Sequence, residues 1–225
     1  MRHARRRRAE LRLFIDTANV EHIREINDWG VVEGVTTNPS LACKEKRNYR
    51  DCVAEICSIV AGPVSVEAVS MDAPGMVSEA RELAAIADNV NVKIPMCPQG
   101  LSAIKELSTE GIQTNCTLVF SANQALLAAS AGAAFVSPFI GRLDDIGNDG
   151  VRVLAEIVEI YEYYGMLTEV ISASIRHPQH VVDSALAGAH IATIPYDVFK
   201  RMASHPLTDI GIERFMADWE KIKDL

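Results

Sequence analysis

Val90-Asn91-Val92-Lys93-Ile94, closed by Pro95, decides how this chain is read. Strand side chains alternate between two faces. Val90, Val92 and Ile94 therefore share one face, and Asn91 and Lys93 share the other. The same alternation recurs on either side of this stretch. Val64-Ser65-Val66-Glu67-Ala68 puts Ser65 and Glu67 on the polar face, and Thr114-Asn115-Cys116-Thr117-Leu118 puts Asn115 and Thr117 there. Val136-Ser137-Pro138-Phe139 gives Ser137 and Phe139, and Ile171-Ser172-Ala173-Ser174 gives Ser172 and Ser174. Asp16 ends a first strand, and Thr36 and Asn38 end a second.

Eight such runs follow one another: Leu11–Ile15, Val31–Thr37, Val64–Val69, Val90–Ile94, Gln113–Val119, Ala134–Ile140, Thr168–Ser172 and Ile191–Ile194. Between them lie segments with helical apolar spacing, among them Ala73–Ala87, Gly100–Leu107, Ala122–Ala131 and Val151–Tyr163. Strands that alternate with helices predict a parallel sheet, and eight units close an α/β (β/α)₈ barrel. A doubly wound open sheet would carry a Gly-x-Gly-x-x-Gly turn after its first strand if it held a dinucleotide, and none is present. Residues 11–225 read as one barrel domain. Its last element is an additional amphipathic helix over 208–223, with Ile212, Phe215, Met216, Trp219 and Ile222 on one stripe.

Composition narrows the function classes. A formal charge of −8 disfavours a general nucleic-acid surface, and no apolar run approaches a membrane span. The first ten residues hold five Arg and one Glu, so the rest of the chain has 17 basic and 29 acidic side chains, a formal charge of −12. Residues 1–10 read as a disordered, solvated extension; a nucleic-acid contact and an address signal are the other two readings. Cys43, Cys52, Cys57, Cys97 and Cys116 are odd in number and show no paired Cys-x-x-Cys spacing. They read as reduced cytoplasmic thiols.

The apolar parity is what helices cover, so the polar parity faces the barrel axis near the C-terminal strand ends, where barrel active sites are built. Lys93 is the sharpest member. An inward lysine is paired with Glu67 or Asp16, reaches water at the strand end, or serves as a desolvated nucleophile. Burial disfavours an ammonium and raises the neutral fraction that attacks a carbonyl. None of the six histidines falls on the inward strand face, no metal site is expected, and His177 and His180 read as a surface pair.

LFIDTANVEHI, GVTTNPSL, VNVKIPMCPQGLSAIK, TNCTLVFSANQALLAA, VSPFIGRLDDIG and ISASIRHP resemble, in order, the signature segments of transaldolases. The resemblance is closest to the short microbial branch beside the fructose 6-phosphate aldolases and runs from Leu13 to Trp219. It implies a (β/α)₈ barrel with Lys93 as the Schiff-base lysine. Asp16 is then the base for the C4 hydroxyl, and Glu67 and Thr117 order a catalytic water and relay protons. Asn38, Asn115 and Ser174 bind the dihydroxyacetone carbons, Arg142 and Arg176 clamp phosphate, and Thr36 and Phe139 complete the wall. No cofactor is implied.

The aldolase branch carries Gln and Tyr where this chain has Glu67 and Phe139, so the resemblance implies transfer rather than release of dihydroxyacetone. The donor would be sedoheptulose 7-phosphate and the acceptor glyceraldehyde 3-phosphate, within the pentose phosphate pathway. Fructose 6-phosphate aldolase-like activity is one alternative. A non-catalytic sugar-phosphate-binding barrel is another, although a binder needs the arginines and not a buried amine beside an acid. The short branch further implies a homo-oligomer, a decamer of two stacked five-membered rings in which the C-terminal helix lies on a neighbouring subunit; a helix that caps its own barrel is the other reading.

Overall fold

Each apolar strand face finds a helix to cover it in the computed structural model, which describes residues 10–223. The expected extension lies outside the described residues except for Glu10, which is exposed. Eight parallel strands close on themselves in sequence order, and β1 pairs with both β2 and β8. They are β1 (Arg12–Asp16), β2 (Gly34–Thr36), β3 (Val64–Glu67), β4 (Val90–Pro95), β5 (Thr114–Val119), β6 (Phe135–Pro138), β7 (Glu169–Ser172) and β8 (Ile191–Pro195). β2 is shorter than the expected Val31–Thr37, and Val31 is exposed.

The helices are α1 (Val20–Asn27), α2 (Pro39–Glu45), α3 (Tyr49–Ile59), α4 (Ala73–Ala84), α5 (Pro98–Thr109), α6 (Ala122–Ala131), α7 (Ile140–Asp145), α8 (Gly150–Tyr164), α9 (Pro178–Leu186), α10 (Tyr196–Met202) and α11 (Pro206–Ile222). In α4 the buried positions are Met76, Val77, Ala80 and Leu83, and in α5 they are Gly100, Ala103, Ile104 and Leu107. This spacing lays one helical stripe on the outward strand residues Val66, Val92, Ile94 and Cys116. Fully burying each large aliphatic side chain contributes about 1.5–3 kcal/mol.

The barrel interior has its own small core. Phe14, Phe135, Ile171 and Ile191, from β1, β6, β7 and β8, cluster apart from the main core. Beside them, from β3 to β6, runs a polar chain: Ser65 Oγ donates to Asn91 Oδ1 at 2.7 Å, Asn115 Nδ2 to Ser65 Oγ at 3.1 Å, and Ser137 Oγ to Asn115 Oδ1 at 2.7 Å. This chain of bonds satisfies buried groups that would otherwise be costly.

One expected orientation is corrected. Ser172 does not face the axis; its Oγ shares a 2.7 Å hydrogen bond with Ser184 Oγ on α9. Ile171 takes the inward position, and Ala173 follows it at the cavity wall. The phase differs because β7 supplies the interior plug with an apolar residue.

α11 stands apart from the barrel core, and none of its residues is buried. Phe215 is 76% exposed, and Ile212, Met216, Trp219 and Ile222 are each more than half exposed. Among the described residues no helix is long and apolar enough to cross a membrane.

Candidate active site

At the C-terminal ends of the strands, a cavity of about 570 Å³ opens around Lys93. It is lined by Asp16, Thr36, Asn38, Glu67, Lys93, Thr117, Phe139, Arg142, Ser174 and Arg176, ten of the eleven residues to which the resemblance assigns a role. Asn115 is the exception. It is fully buried in the polar chain, held beneath the cavity by Ser137, which does line it.

Lys93 and Glu67 are Cα partners on β4 and β3. Lys93 Nζ lies 3.0 Å from Glu67 Oε2 and donates to the Thr37 carbonyl at 2.9 Å. The lysine is 5% exposed. The pairing with Glu67 anticipated as one reading of an inward lysine is therefore present, and it leaves the amine facing the cavity.

Asp16 ends β1 beside β2 and β8. Enclosure raises its carboxyl above the ordinary 3.8, against the lowering effects of the Lys93 charge and of a hydrogen bond from Thr36; the Glu67 charge adds to the rise. Thr36 Oγ1 donates to Asp16 Oδ1 at 2.7 Å and shares a 2.5 Å bond with Thr193 Oγ1 on β8. Thr193, a cavity-lining residue, was missed in the sequence because Ile191-Ala192-Thr193-Ile194 reads as an apolar strand. Its parity with Ile191 was the available signal. Ser40, Leu41 and Lys44 also line the cavity from α2, a helix whose N-cap is Asn38. The Asn38 side-chain oxygen accepts from Leu41 N at 3.0 Å, which leaves its amide hydrogens for a ligand.

Backbone irregularity gathers here. β5 and β6 shift register between Cys116 and Val119, and Leu118 inside the shift has φ 58°. Ser174, just past β7, has φ 63°. Both line the cavity, and non-glycine residues in this region tend to mark functional sites. The turn after β7 is what carries Ser174 into the cavity although Ser172 points outward. Thr117 Oγ1, beside Leu118, is buried and has no hydrogen-bond partner among the described protein atoms.

The two arginines stand at the exposed mouth. Arg142, on α7, lies with its guanidinium carbon 4.9 Å from the Phe139 ring centroid. Arg176 Nη2 is 2.7 Å from Asp145 Oδ2, in an ion pair with both side chains about half exposed. Gly141 lets α7 approach closely, since a Cβ there would fall 2.0 Å from the Ser174 carbonyl oxygen. The histidine reading needs correction: His177 is exposed, but His180 is only 5% exposed, with its Nε2 2.9 Å from Asp144 Oδ2. A polar ring is tolerated there because both ring nitrogens find partners.

Comparison with known proteins follows the same line. The family model described as Transaldolase/Fructose-6-phosphate aldolase matches residues 13–225. A probable transaldolase of Heliobacterium modesticaldum is 60% identical over 214 residues, covering 95% of this chain and 100% of that protein. A probable transaldolase of Moorella thermoacetica is 61% identical over the same coverage. Among solved structures, thiamine phosphate pyrophosphorylase from Pyrococcus furiosus aligns with TM-score 0.59 over 84% of this chain and 87% of its own, at 16% identity. That likeness concerns the barrel alone.

Proposed function

This chain belongs to the transaldolase/fructose-6-phosphate aldolase family, and from that premise we propose that it transfers a dihydroxyacetone unit between sugar phosphates through an imine on Lys93. The observation that carries the reading is a buried amine in a cavity whose wall also holds Asp16, Glu67 and Thr117 and whose mouth holds Arg142 and Arg176.

In this proposal a proton leaves the Lys93 ammonium for Glu67, 3.0 Å away, and the amine attacks the C2 carbonyl of the donor. Loss of water from the carbinolamine gives a protonated imine, with Glu67 and a water on the unpartnered Thr117 Oγ1 moving the protons. Asp16 takes the C4 hydroxyl proton as the C3–C4 bond breaks. The bonding electrons flow into the imine and give an enamine, and the shortened aldose phosphate leaves. A second aldose phosphate enters, its aldehyde carbon bonds to C3, and the steps reverse. The raised Asp16 carboxyl suits a group that takes up a proton and returns it.

Asn38 and Ser174 hold the dihydroxyacetone carbons, with Asn115 acting from beneath, while Thr36 orients Asp16. Arg142 and Arg176 bind phosphate with planar, multidentate donors. The proposed reaction turns sedoheptulose 7-phosphate and glyceraldehyde 3-phosphate into erythrose 4-phosphate and fructose 6-phosphate, in the cytoplasmic pentose phosphate pathway. Phe139 supports transfer over release, because a phenyl ring offers water no hydrogen bond at the enamine. The exposed apolar stripe of α11 supports a homo-oligomer, proposed as two five-membered rings.

The test is a coupled assay on fructose 6-phosphate that follows transfer to an acceptor and release of free dihydroxyacetone together. The reading expects transfer to dominate. Release as the main outcome, or neither reaction, overturns it.

A further inference from the structure

We propose that His180 is a positioning residue for the proposed phosphate site: its imidazole ties the main chain of Arg176 to the helix that carries Arg142. The inference rests on the phosphate reading of those two arginines.

His180 sits in the first turn of α9 and does not line the Lys93 cavity. Its Nδ1 accepts from the Arg176 backbone N–H at 3.3 Å, and its Nε2 lies 2.9 Å from Asp144 Oδ2. Asp144 is two residues past Arg142 on α7, and its Oδ1 accepts from Gly150 N at 2.9 Å. The carboxylate is thereby fixed on both oxygens, and the ring joins α7 to the segment after β7. α7 has six residues and no side-chain cap at its N-terminus, and Arg176 follows the left-handed Ser174.

The ring has its own supports. Ser184 Oγ donates to the His180 carbonyl at 2.6 Å and shares a bond with Ser172 Oγ, which anchors α9 to β7. Arg201 donates to the Arg176 carbonyl at 2.9 Å, so the main chain of Arg176 is held on both sides. The bridge uses one nitrogen as acceptor and the other as donor, which only a neutral imidazole with Nε2–H provides. Burial, and secondly the neighbouring His177, lower the His180 pKa and favour that form.

Two substitutions break the bridge at different ends. In His180→Asn the short amide can accept from the Arg176 N–H but does not reach Asp144. In His180→Gln the longer amide can donate to Asp144 but leaves the Arg176 N–H unpaired. Asp144→Asn keeps the bond from Gly150 and sets an amide donor against Nε2–H, so no tautomer of His180 satisfies both neighbours.

The experiment measures, on full-length protein, KM and kcat with glyceraldehyde 3-phosphate and with unphosphorylated glyceraldehyde, and the inhibition constant of inorganic phosphate, with Arg176→Ala in parallel. Each bridge variant should raise KM for the phosphorylated acceptor and the phosphate inhibition constant roughly two- to tenfold, the effect of losing one buried hydrogen bond. kcat with glyceraldehyde should stay unchanged. Equal losses on both acceptors, or no change on either, overturn the inference. Should the His180 variants fail to fold, Asp144→Asn, altered at a partly exposed side chain, decides by the same readout. If Arg176→Ala discriminates between the acceptors and the bridge variants do not, the positioning role alone falls. If Arg176→Ala does not discriminate, the phosphate reading falls and takes this inference with it.

Discussion

Lys93 Nζ and Glu67 Oε2 lie 3.0 Å apart on neighbouring strands, with the lysine side chain 6% and the glutamate side chain 19% exposed. A carboxylate in that position balances the buried ammonium and is also the nearest acceptor for the proton the amine must lose. Coulombic pairing and proton transfer thus share one contact. Removing the acid while keeping its shape separates them. With Phe139 offering no hydroxyl to order the water in its place, Glu67→Gln should lower kcat by about 10²-fold or more, the usual scale of general acid–base catalysis, and slow imine formation. An unchanged kcat would show that the pair is only structural.

Asp16 connects catalysis to stability. Its folded carboxyl titrates above the unfolded value because enclosure outweighs Lys93 and Thr36. Between the two values the folded state binds more protons than the unfolded chain, so the stability contribution of this group falls as pH rises through that window. Asp16→Asn should therefore raise Tm at pH 7, with the difference shrinking toward acid pH, while transfer is lost. A lower Tm at pH 7 would contradict the account. Thermal unfolding across pH checks it.

Phe139 stands edge-to-face with Phe120, ring centroids 5.9 Å apart, and lies under the Arg142 guanidinium. Phe139→Tyr adds a hydroxyl at the cavity wall that can orient water toward the enamine. The share of turnovers ending in free dihydroxyacetone should increase, measured as release against transfer. A flat ratio in a folded variant would remove the basis for choosing transfer.

Much of this was legible in the sequence. Eight alternating runs predicted the barrel, since apolar parity must meet a helix, and the same parity put Glu67, Lys93 and Thr117 on the inward face, where they line the cavity. What escaped detection depended on geometry that the pattern does not carry. Thr193 lay hidden in an apolar strand, and Ser172 turned outward once Ile171 was needed in the plug. The left-handed backbone of Leu118 and Ser174 has no residue-type signal, because neither is glycine. His180 reads as a polar surface residue until Asp144 and the Arg176 main chain are brought to its ring.

α11 leaves Phe215 and Trp219 exposed, and burying them against another subunit would contribute about 1.5–3 kcal/mol per side chain. Light scattering should give a ring-sized mass for the full chain and a smaller one for a chain ending at Pro206. A full-length monomer, or a truncated chain of unchanged subunit number and stability, would contradict the proposed assembly.

The central claim is that Lys93 is the nucleophile, and borohydride reduction in the presence of fructose 6-phosphate followed by peptide mass analysis tests it most directly. The account predicts a reduced three-carbon adduct on Lys93, absent in Lys93→Met and Lys93→Arg while both variants keep the fold. An adduct on Lys44 or Lys105, or no adduct on an active enzyme, would contradict it.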